Sequence, residues 1–141
     1  MTDQILLSPV AFVKNSRSKI ADDFWGGVIS EIELHPDIPE KTLEGIETFS
    51  HLQIVFHFNK VPVEKIKFSG HPRGNPEWPK IGIFAQRKKS RPNRIGTTIV
   101  KLVKKDKNRI WVEGLDAIDG TPILDIKPCL LYTSPSPRDL L

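Results

Sequence analysis

Strict alternation of apolar and polar residues between His51 and Phe58, read as HLQIVFHF, is the strongest constraint on the fold. Leu52, Ile54 and Phe56 fall with Phe58 on one side of an extended chain, and the residues between them fall on the other side. A period of two matches a strand with one buried face and does not match a helix. We therefore predict a strand here that covers a core on one side.

Similar short apolar runs recur along the chain and are separated by turn residues, among them nine glycines and twelve prolines. Val28–Leu34 also alternates, although Ser30 interrupts its apolar face. The further strand candidates are Val10–Val13, Ile81–Phe84, Ile95–Val103, Ile110–Leu115 and Ile123–Lys127. About seven strands without alternating helices predict an all-β domain, a small closed or partly open barrel that hides its strand edges.

The segments between these strands carry one helical signal and two turn signals. In Glu40–Phe49 apolar residues recur at threefold spacing, which predicts a short helical segment at one end of the barrel. The polar run KKDKNR between Val103 and Ile110 predicts a hairpin connection. Asp119-Gly120 predicts a tight turn, which we interpret as a second hairpin.

The size of the chain, 141 residues, suits one domain, which we place at residues 1–130. The last residues, 131–141, contain Ser-Pro-Ser-Pro and no alternation. They are either a non-native tail or an ordinary disordered terminus. The net charge of +4 is compatible with a nucleic-acid partner but does not establish one.

The chain has one cysteine, Cys129, which excludes an internal disulfide and a multi-cysteine zinc site. No run approaches the ~18 apolar residues that a membrane span needs, and the N-terminus lacks a signal-peptide pattern, so we expect a cytoplasmic protein. The four histidines lack metal-ligand spacing, and we expect no metal site.

The most basic segment of the chain is Phe84–Gly96, read as FAQRKKSRPNRIG. Its Pro92 fixes one φ angle and favours an extended residue before it, so we predict a shaped loop rather than a helix. Five cations in so short a loop indicate a surface that faces an anion, and a solvated hairpin tip is the alternative. These cations are Arg87, Lys88, Lys89, Arg91 and Arg94.

Three motifs in order resemble the TsaA-like family, also called TrmO. They are GIETFSHLQIVFHF at Gly45–Phe58, the basic loop FAQRKKSRPNRIG, and DGTPILDIKP at Asp119–Pro128. The likeness spans most of Ser8–Pro128. The chain departs from the family pattern at Gln86 and Arg94, where the family has threonine and proline, and in DDFWGG at residues 22–27, where the family has a cofactor contact.

The resemblance implies a β-barrel that binds S-adenosylmethionine, forms homodimers and methylates N6 of threonylcarbamoyladenosine beside the anticodon of transfer RNA. Such a fold explains why no Gly-rich strand-to-helix turn is present. The cofactor contacts that the resemblance implies fall at Asn59, Lys60, Arg87, Thr97, Asp116, Asp119, Gly120 and Thr121. Taken without the family, Asp119-Gly120-Thr121 is ordinary turn chemistry.

Within that resemblance, Arg87 is our first choice for a cofactor contact, because a guanidinium pairs well with a carboxylate. The other cations of the loop, Lys88, Lys89, Arg91 and Arg94, would then contact RNA phosphates. No catalytic residue is assigned. Two alternatives remain: a non-catalytic RNA-binding barrel, and a methyltransferase of the same fold with another substrate.

Overall fold

The described residues, 3–14 and 28–129 of a computed structural model, form a closed barrel of six antiparallel strands and a separate two-stranded sheet. The barrel order is β1-β2-β7-β6-β3-β8, and β8 closes it onto β1. The barrel strands are β1 (Ala11–Lys14), β2 (Ile29–Leu34), β3 (His51–His57), β6 (Ile95–Asp106), β7 (Arg109–Glu113) and β8 (Pro122–Cys129); β4 (Ser69–Gly70) and β5 (Ile81–Gly82) form the small sheet. The all-β barrel prediction is confirmed.

Strand β3 is paired along its whole length, with β6 on one side and β8 on the other. Its burial alternates along the whole strand, with Leu52, Ile54 and Phe56 directed into the barrel. Ile54 is opposite Thr98 on one neighbour and Ile126 on the other. The alternation read from the sequence therefore predicted the buried face correctly.

The inner face of β2 includes the serine that interrupts its apolar pattern. Ser30 is 0% exposed and shares that face with Ile32 and Leu34. It is therefore part of the barrel interior. The buried apolar cluster that surrounds the barrel axis consists of Ala11, Val13, Ile32, Leu34, Leu43, Leu52, Ile54, Phe56, Val100, Ile110, Val112, Leu115, Ala117 and Ile123.

The helical segment predicted at Glu40–Phe49 is present as two 3-10 turns, Glu40–Leu43 and Ile46–Thr48. Gly45 separates them in the left-handed conformation, with a φ of 83°. The threefold apolar spacing matches the three residues per turn of a 3-10 helix. Leu43 belongs to the barrel core, so the segment packs against the barrel as predicted.

The predicted strand Ile81–Phe84 is wrong as a barrel element. Only Ile81–Gly82 is extended, and it pairs with Ser69–Gly70 outside the barrel. The chain then turns at Ile83–Ala85, and the amide of Gln86 donates to the carbonyls of Ile81 and Gly82, 3.1 and 3.4 Å away. A side chain thus occupies acceptors that a neighbouring strand would otherwise use.

One of the two predicted hairpins is confirmed and one is wrong. Strands β6 and β7 pair through a turn at Lys107 and Asn108, and β6 extends to Asp106. Strands β7 and β8, in contrast, lie apart in the barrel order. The segment with Asp119-Gly120 therefore crosses from one side of the barrel to the other. Its turn chemistry was identified correctly, but turn residues do not specify which strands pair.

Two features of the sequence, the tail at 131–141 and the DDFWGG run at 22–27, lie outside the described residues. Within the described ranges, no helix is long and apolar enough to cross a membrane.

The two faces of the sheet give a matched test of the barrel interior. Ile54 is 0% exposed on β3, whereas Ile99 is 51% exposed on the neighbouring β6. We expect Ile54→Ala to lower the free energy of unfolding by about 2–5 kcal/mol, because it leaves a cavity. We expect Ile99→Ala to cost less than about 1 kcal/mol when both proteins are measured as monomers, in which the side chain remains half-exposed. Chemical denaturation measures both, and equal losses would contradict the assigned inner face.

Candidate functional site

A pocket at one end of the barrel brings together residues that are far apart in the sequence. Two segments, 56–61 and 116–121, meet there, and Lys89 of the basic loop reaches the same pocket. Four of the predicted cofactor residues line it, namely Asn59, Lys60, Asp116 and Thr121. The remaining lining residues are Phe56, Phe58, Val61, Lys89, Ala117 and Ile118.

The turn that carries Asn59 and Lys60 is held by Arg94. The backbone N–H of Phe58 donates to the Arg94 carbonyl at 2.7 Å, and the Arg94 guanidinium donates to the Val61 carbonyl at 2.6 Å. Arg94 has a φ of 51°, an uncommon value for a residue with a side chain. The two ends of the turn are thus anchored to one residue, which positions Asn59 and Lys60 at the pocket.

The second segment is anchored to β1. Gly120 has a φ of 85°, which suits glycine, and its N–H donates to the Val13 carbonyl at 2.7 Å. The N–H of Val13 in turn donates to the Thr121 carbonyl at 3.0 Å. The Thr121 hydroxyl donates to the Ile118 carbonyl at 2.7 Å, and only 4% of the Thr121 surface is exposed. Gly120 and Thr121 therefore shape the segment, and Asp116 and Ile118 line the pocket beside them.

Two aromatic rings, missed by the sequence analysis, form an apolar wall of the pocket. The rings of Phe56 and Phe58 meet edge to face, with centroids 5.2 Å apart and planes at 81°. They pack over Gly96, where an added Cβ would lie 2.5 Å from Phe58 Cζ. The alternation of the HLQIVFHF run had placed both residues on the inner side, but it did not indicate that their rings line a pocket.

Arg87 and Thr97 lie together, but they are not among the residues that line this pocket. The Arg87 guanidinium donates to the Thr97 hydroxyl at 3.4 Å. Thr97 pairs with Val55 in the sheet and shares its outer face, since the neighbouring Gly96 and Thr98 oppose the inward Phe56 and Ile54. The predicted cofactor residues thus do not form one group: four line the pocket, Arg87 and Thr97 lie together at the outer face of β6, and Asp119 and Gly120 belong to the segment 116–121 but are not among the lining residues.

The other cations of the basic loop have different partners. The Arg91 guanidinium donates to the carbonyls of Gln86 and Lys88, at 2.8 and 3.3 Å, and shapes the loop from inside. The Lys88 ammonium donates to the His71 carbonyl at 2.8 Å. Lys89 lines the pocket beside Asp116. The prediction of a shaped loop fits these bonds, and the prediction of phosphate contacts stays a prediction.

His57, the last residue of β3, lies next to this loop. Burial lowers the pKa of His57 below its ordinary value of 6.5, and the charge of Arg94 lowers it further, while a hydrogen bond to the backbone of Asn93 acts in the opposite direction. The fold therefore favours the neutral imidazole. In the described part of the chain, no group of three or more His, Cys, Asp or Glu residues could hold a metal ion.

The structure is a small antiparallel barrel with a pocket at one end that two distant segments form, a class distinct from the open parallel sheets that bind nucleotides at a Gly-rich turn. The family model of the tRNA-methyltransferase O N-terminal domain matches residues 18–134. The chain belongs to this family.

Comparison with individual proteins agrees. A rat tRNA (adenine(37)-N6)-methyltransferase is 42% identical over 144 residues, which cover 95% of this chain and 33% of that protein. A probable S-adenosyl-L-methionine-binding protein of Pyrococcus abyssi is 40% identical over 100 residues, 69% of this chain and 50% of its own length. The crystal structure of TrmO from Pseudomonas aeruginosa superposes with a TM-score of 0.71 at 27% identity, and covers 95% of this chain and 60% of that one. The chain thus spans 60% or less of each of these relatives.

Gly96 gives a direct test of the aromatic wall. We expect Gly96→Ala to displace the Phe58 ring and to lower the free energy of unfolding by about 1–3 kcal/mol, because the new methyl group overpacks the site. Gly82→Ala is the control, since its nearest neighbour would be 3.9 Å away. Chemical denaturation and the ring proton shifts of Phe58 report the two effects. An unchanged Phe58 environment in Gly96→Ala would contradict the packing.

His57 makes stability depend on pH in a defined direction. Because its folded pKa is lowered, the unfolded chain binds the proton more tightly, and stability falls as the pH drops below about 6.5 toward the folded pKa. We expect the melting temperature of the parent to fall more between about pH 7.5 and about pH 5.5 than that of His57→Gln. The pKa of Glu33 is also lowered, chiefly by its hydrogen bond to Lys14, so Glu33 titrates below this window. Equal pH dependence in the two proteins would refute this account.

Proposed function

We propose that the chain is an S-adenosylmethionine-dependent methyltransferase that methylates N6 of threonylcarbamoyladenosine beside the anticodon of transfer RNA. One structural observation carries the proposal: the segments with Asn59-Lys60 and with 116–121, which the family motifs identify, meet at one pocket. The names of the rat and Pyrococcus abyssi relatives support the reaction and the cofactor, respectively.

The pocket has groups that match the methyl donor. Its aromatic wall suits an adenine ring or a sulfonium, the Asp116 carboxylate suits an ammonium or ribose hydroxyls, and the Lys89 ammonium suits a carboxylate. Its cavity is only about 30 Å³, about the volume of one water molecule in the liquid. This enclosed space is too small for an adenine ring or a methionine moiety, so the cofactor would lie across the open mouth of the pocket against these groups.

When bound, S-adenosylmethionine supplies a methyl group on a positively charged sulfur. Transfer to the N6 ureido nitrogen would form an N–C bond as the C–S bond breaks and N6 loses its proton to solvent, an in-line displacement that gains most from a close and aligned approach of donor and acceptor. The contribution of this chain is therefore positioning. The turn with Asn59 and Lys60 is held by the hydrogen bonds of Arg94, and the segment with Asp116 is held by the hydrogen bonds to β1. These residues would therefore need little reordering when the cofactor binds.

The proposal includes a homodimer. The outer face of β6 and the segment before β1 expose apolar side chains, with Ile99 at 51%, Ile5 at 85% and Leu6 at 94% exposure. The same segment lines a groove together with Ile95 and Leu124. A second copy on this face would cover apolar surface beside Thr97, and would place Arg87 near a subunit boundary. We also propose a cytoplasmic location, which the single cysteine supports.

Two rival functions make different predictions. A non-catalytic RNA-binding barrel would bind transfer RNA without S-adenosylmethionine, and the pocket lined by Asp116 and Lys89 argues against it because it holds charges of both signs beside aromatic rings. A methyltransferase with another substrate would bind the cofactor and leave transfer RNA unmodified. Calorimetry with S-adenosylmethionine, followed by mass spectrometry of transfer RNA nucleosides after incubation with labelled cofactor, separates the three. Absence of cofactor binding would refute the proposal, and binding without a labelled nucleoside would refute its substrate.

Arg87 tests the cofactor site and the proposed homodimer together, because it does not line the pocket of its own chain and would contact the cofactor across the subunit boundary. We expect Arg87→Ala to weaken S-adenosylmethionine binding by about 10- to 100-fold, the loss typical of a charge-assisted hydrogen bond. Arg109→Ala is the matched control, because Arg109 pairs with Glu31 and Glu33 on the outer face of β7 and β2. Calorimetry measures both constants. Equal weakening in the two variants would show that Arg87 acts only through net charge.

A further inference from the structure

A second cavity lies between the basic loop and the segment from β4 to β5, separate from the pocket described above. Its volume is about 440 Å³, within the range of small-molecule sites. It shares no lining residue with the first pocket. The lining residues are Lys67, Ser69, Gly70, His71, Gly74, Lys80, Ile83, Gln86, Lys88 and Ser90.

The chemistry of this lining is cationic and rich in donors. Lys67, Lys80 and Lys88 contribute three ammonium groups, and none of the ten lining residues carries a carboxylate. Ser69 and Ser90 add hydroxyl groups. Lysines near one another raise the local positive potential, and an anion in the cavity would relieve their repulsion. The lining therefore favours an anionic ligand.

Hydrogen bonds build the walls of the cavity. The Lys88 ammonium donates to the His71 carbonyl, and the ring Nδ1 of His71 donates to the Trp78 carbonyl at 2.9 Å. The Gln86 amide nitrogen donates to the Gly70 carbonyl at 3.2 Å as well as to β5. The Gln86 side chain thereby ties the loop to both β4 and β5, and the cavity wall is built from residues of all three segments.

We propose that this cavity binds a backbone phosphate of the RNA substrate. Consecutive lysines of the basic loop serve two cavities, since Lys89 lines the cofactor pocket and Lys88 lines this one. One strand of RNA can therefore be held by its phosphate on one side of the loop while its target base lies toward the other. Ammonium groups bind phosphate as point charges, and the volume admits a sugar as well as the phosphate. This inference rests on the proposed function for the identity of the RNA, but not for the affinity for phosphate.

The site itself is tested by titrating the full chain with inorganic phosphate and measuring the NMR chemical shifts of its backbone amides. We expect shifts at Gly70, His71 and Ser90, and their loss in the double variant Lys67→Gln/Lys80→Gln. Both lysines are exposed, and neither side chain has a hydrogen bond or ion pair in the described structure, so the substitutions should leave the fold intact. Lys41→Gln/Lys107→Gln is the control with the same loss of charge, and it should keep the shifts. No shift in the parent, or the same loss in the control, would overturn the proposal.

The source of the phosphate is tested with an anticodon stem-loop RNA. We expect the double variant at Lys67 and Lys80 to reduce the slope of log affinity against log salt concentration by about 0.7, the value for one phosphate of a single strand. The control variant should change the slope less. Phosphate shifts with an unchanged RNA slope would overturn the RNA assignment and indicate a free phosphate compound. Failure of the parent protein to bind S-adenosylmethionine would refute the proposed function. The phosphate titration would still show whether the cavity binds phosphate.

Discussion

Closure of the barrel through β8 is the constraint on which the rest of the structure depends. This strand pairs with β3 on one side and β1 on the other, so Phe56 and Ile123 become cross-strand neighbours. The chain just after β3 and the chain just before β8 must then lie side by side at the same end of the barrel. The pocket between residues 56–61 and 116–121 is a direct result of that pairing.

Local sequence patterns predicted where the strands lie better than they predicted which strands pair with each other. The inner face of β3 could be read from the alternation alone, because burial on one side of a strand is repeated every second residue. The connection from β7 to β8 could not be predicted in this way, because Asp119-Gly120 forms the same turn whether or not the flanking strands pair with each other. Ile81–Phe84 was misplaced for a related reason: the apolar run is real, but it pairs with Ser69–Gly70 outside the barrel and turns at Ile83–Ala85.

The residues of the candidate site could be predicted where a family motif includes them. The roles of the cations could not be predicted, because several of them compete for the same backbone carbonyls. Asn59, Lys60, Asp116 and Thr121 came from the family motifs, and the fold brings them to one pocket. The cations of the basic loop looked equivalent in the sequence, but Arg94 has its guanidinium on a backbone carbonyl. Which cations serve the loop and which remain for a ligand depends on carbonyl positions that only the folded chain defines.

The basic loop is best understood as a wall between two cavities rather than as a positive surface. Arg91 bonds the carbonyls of Gln86 and Lys88, which fixes the loop from its concave side. The side chains that follow Arg87 then diverge, since Lys88 lines the larger cavity and Lys89 lines the pocket at the end of the barrel. A net charge of +4 does not by itself indicate a partner, so the placement of a few cations is more informative than their number. Under the proposed function, this loop would relate the position of an RNA strand to that of the methyl donor, because a shift of the loop would move Lys88 and Lys89 together.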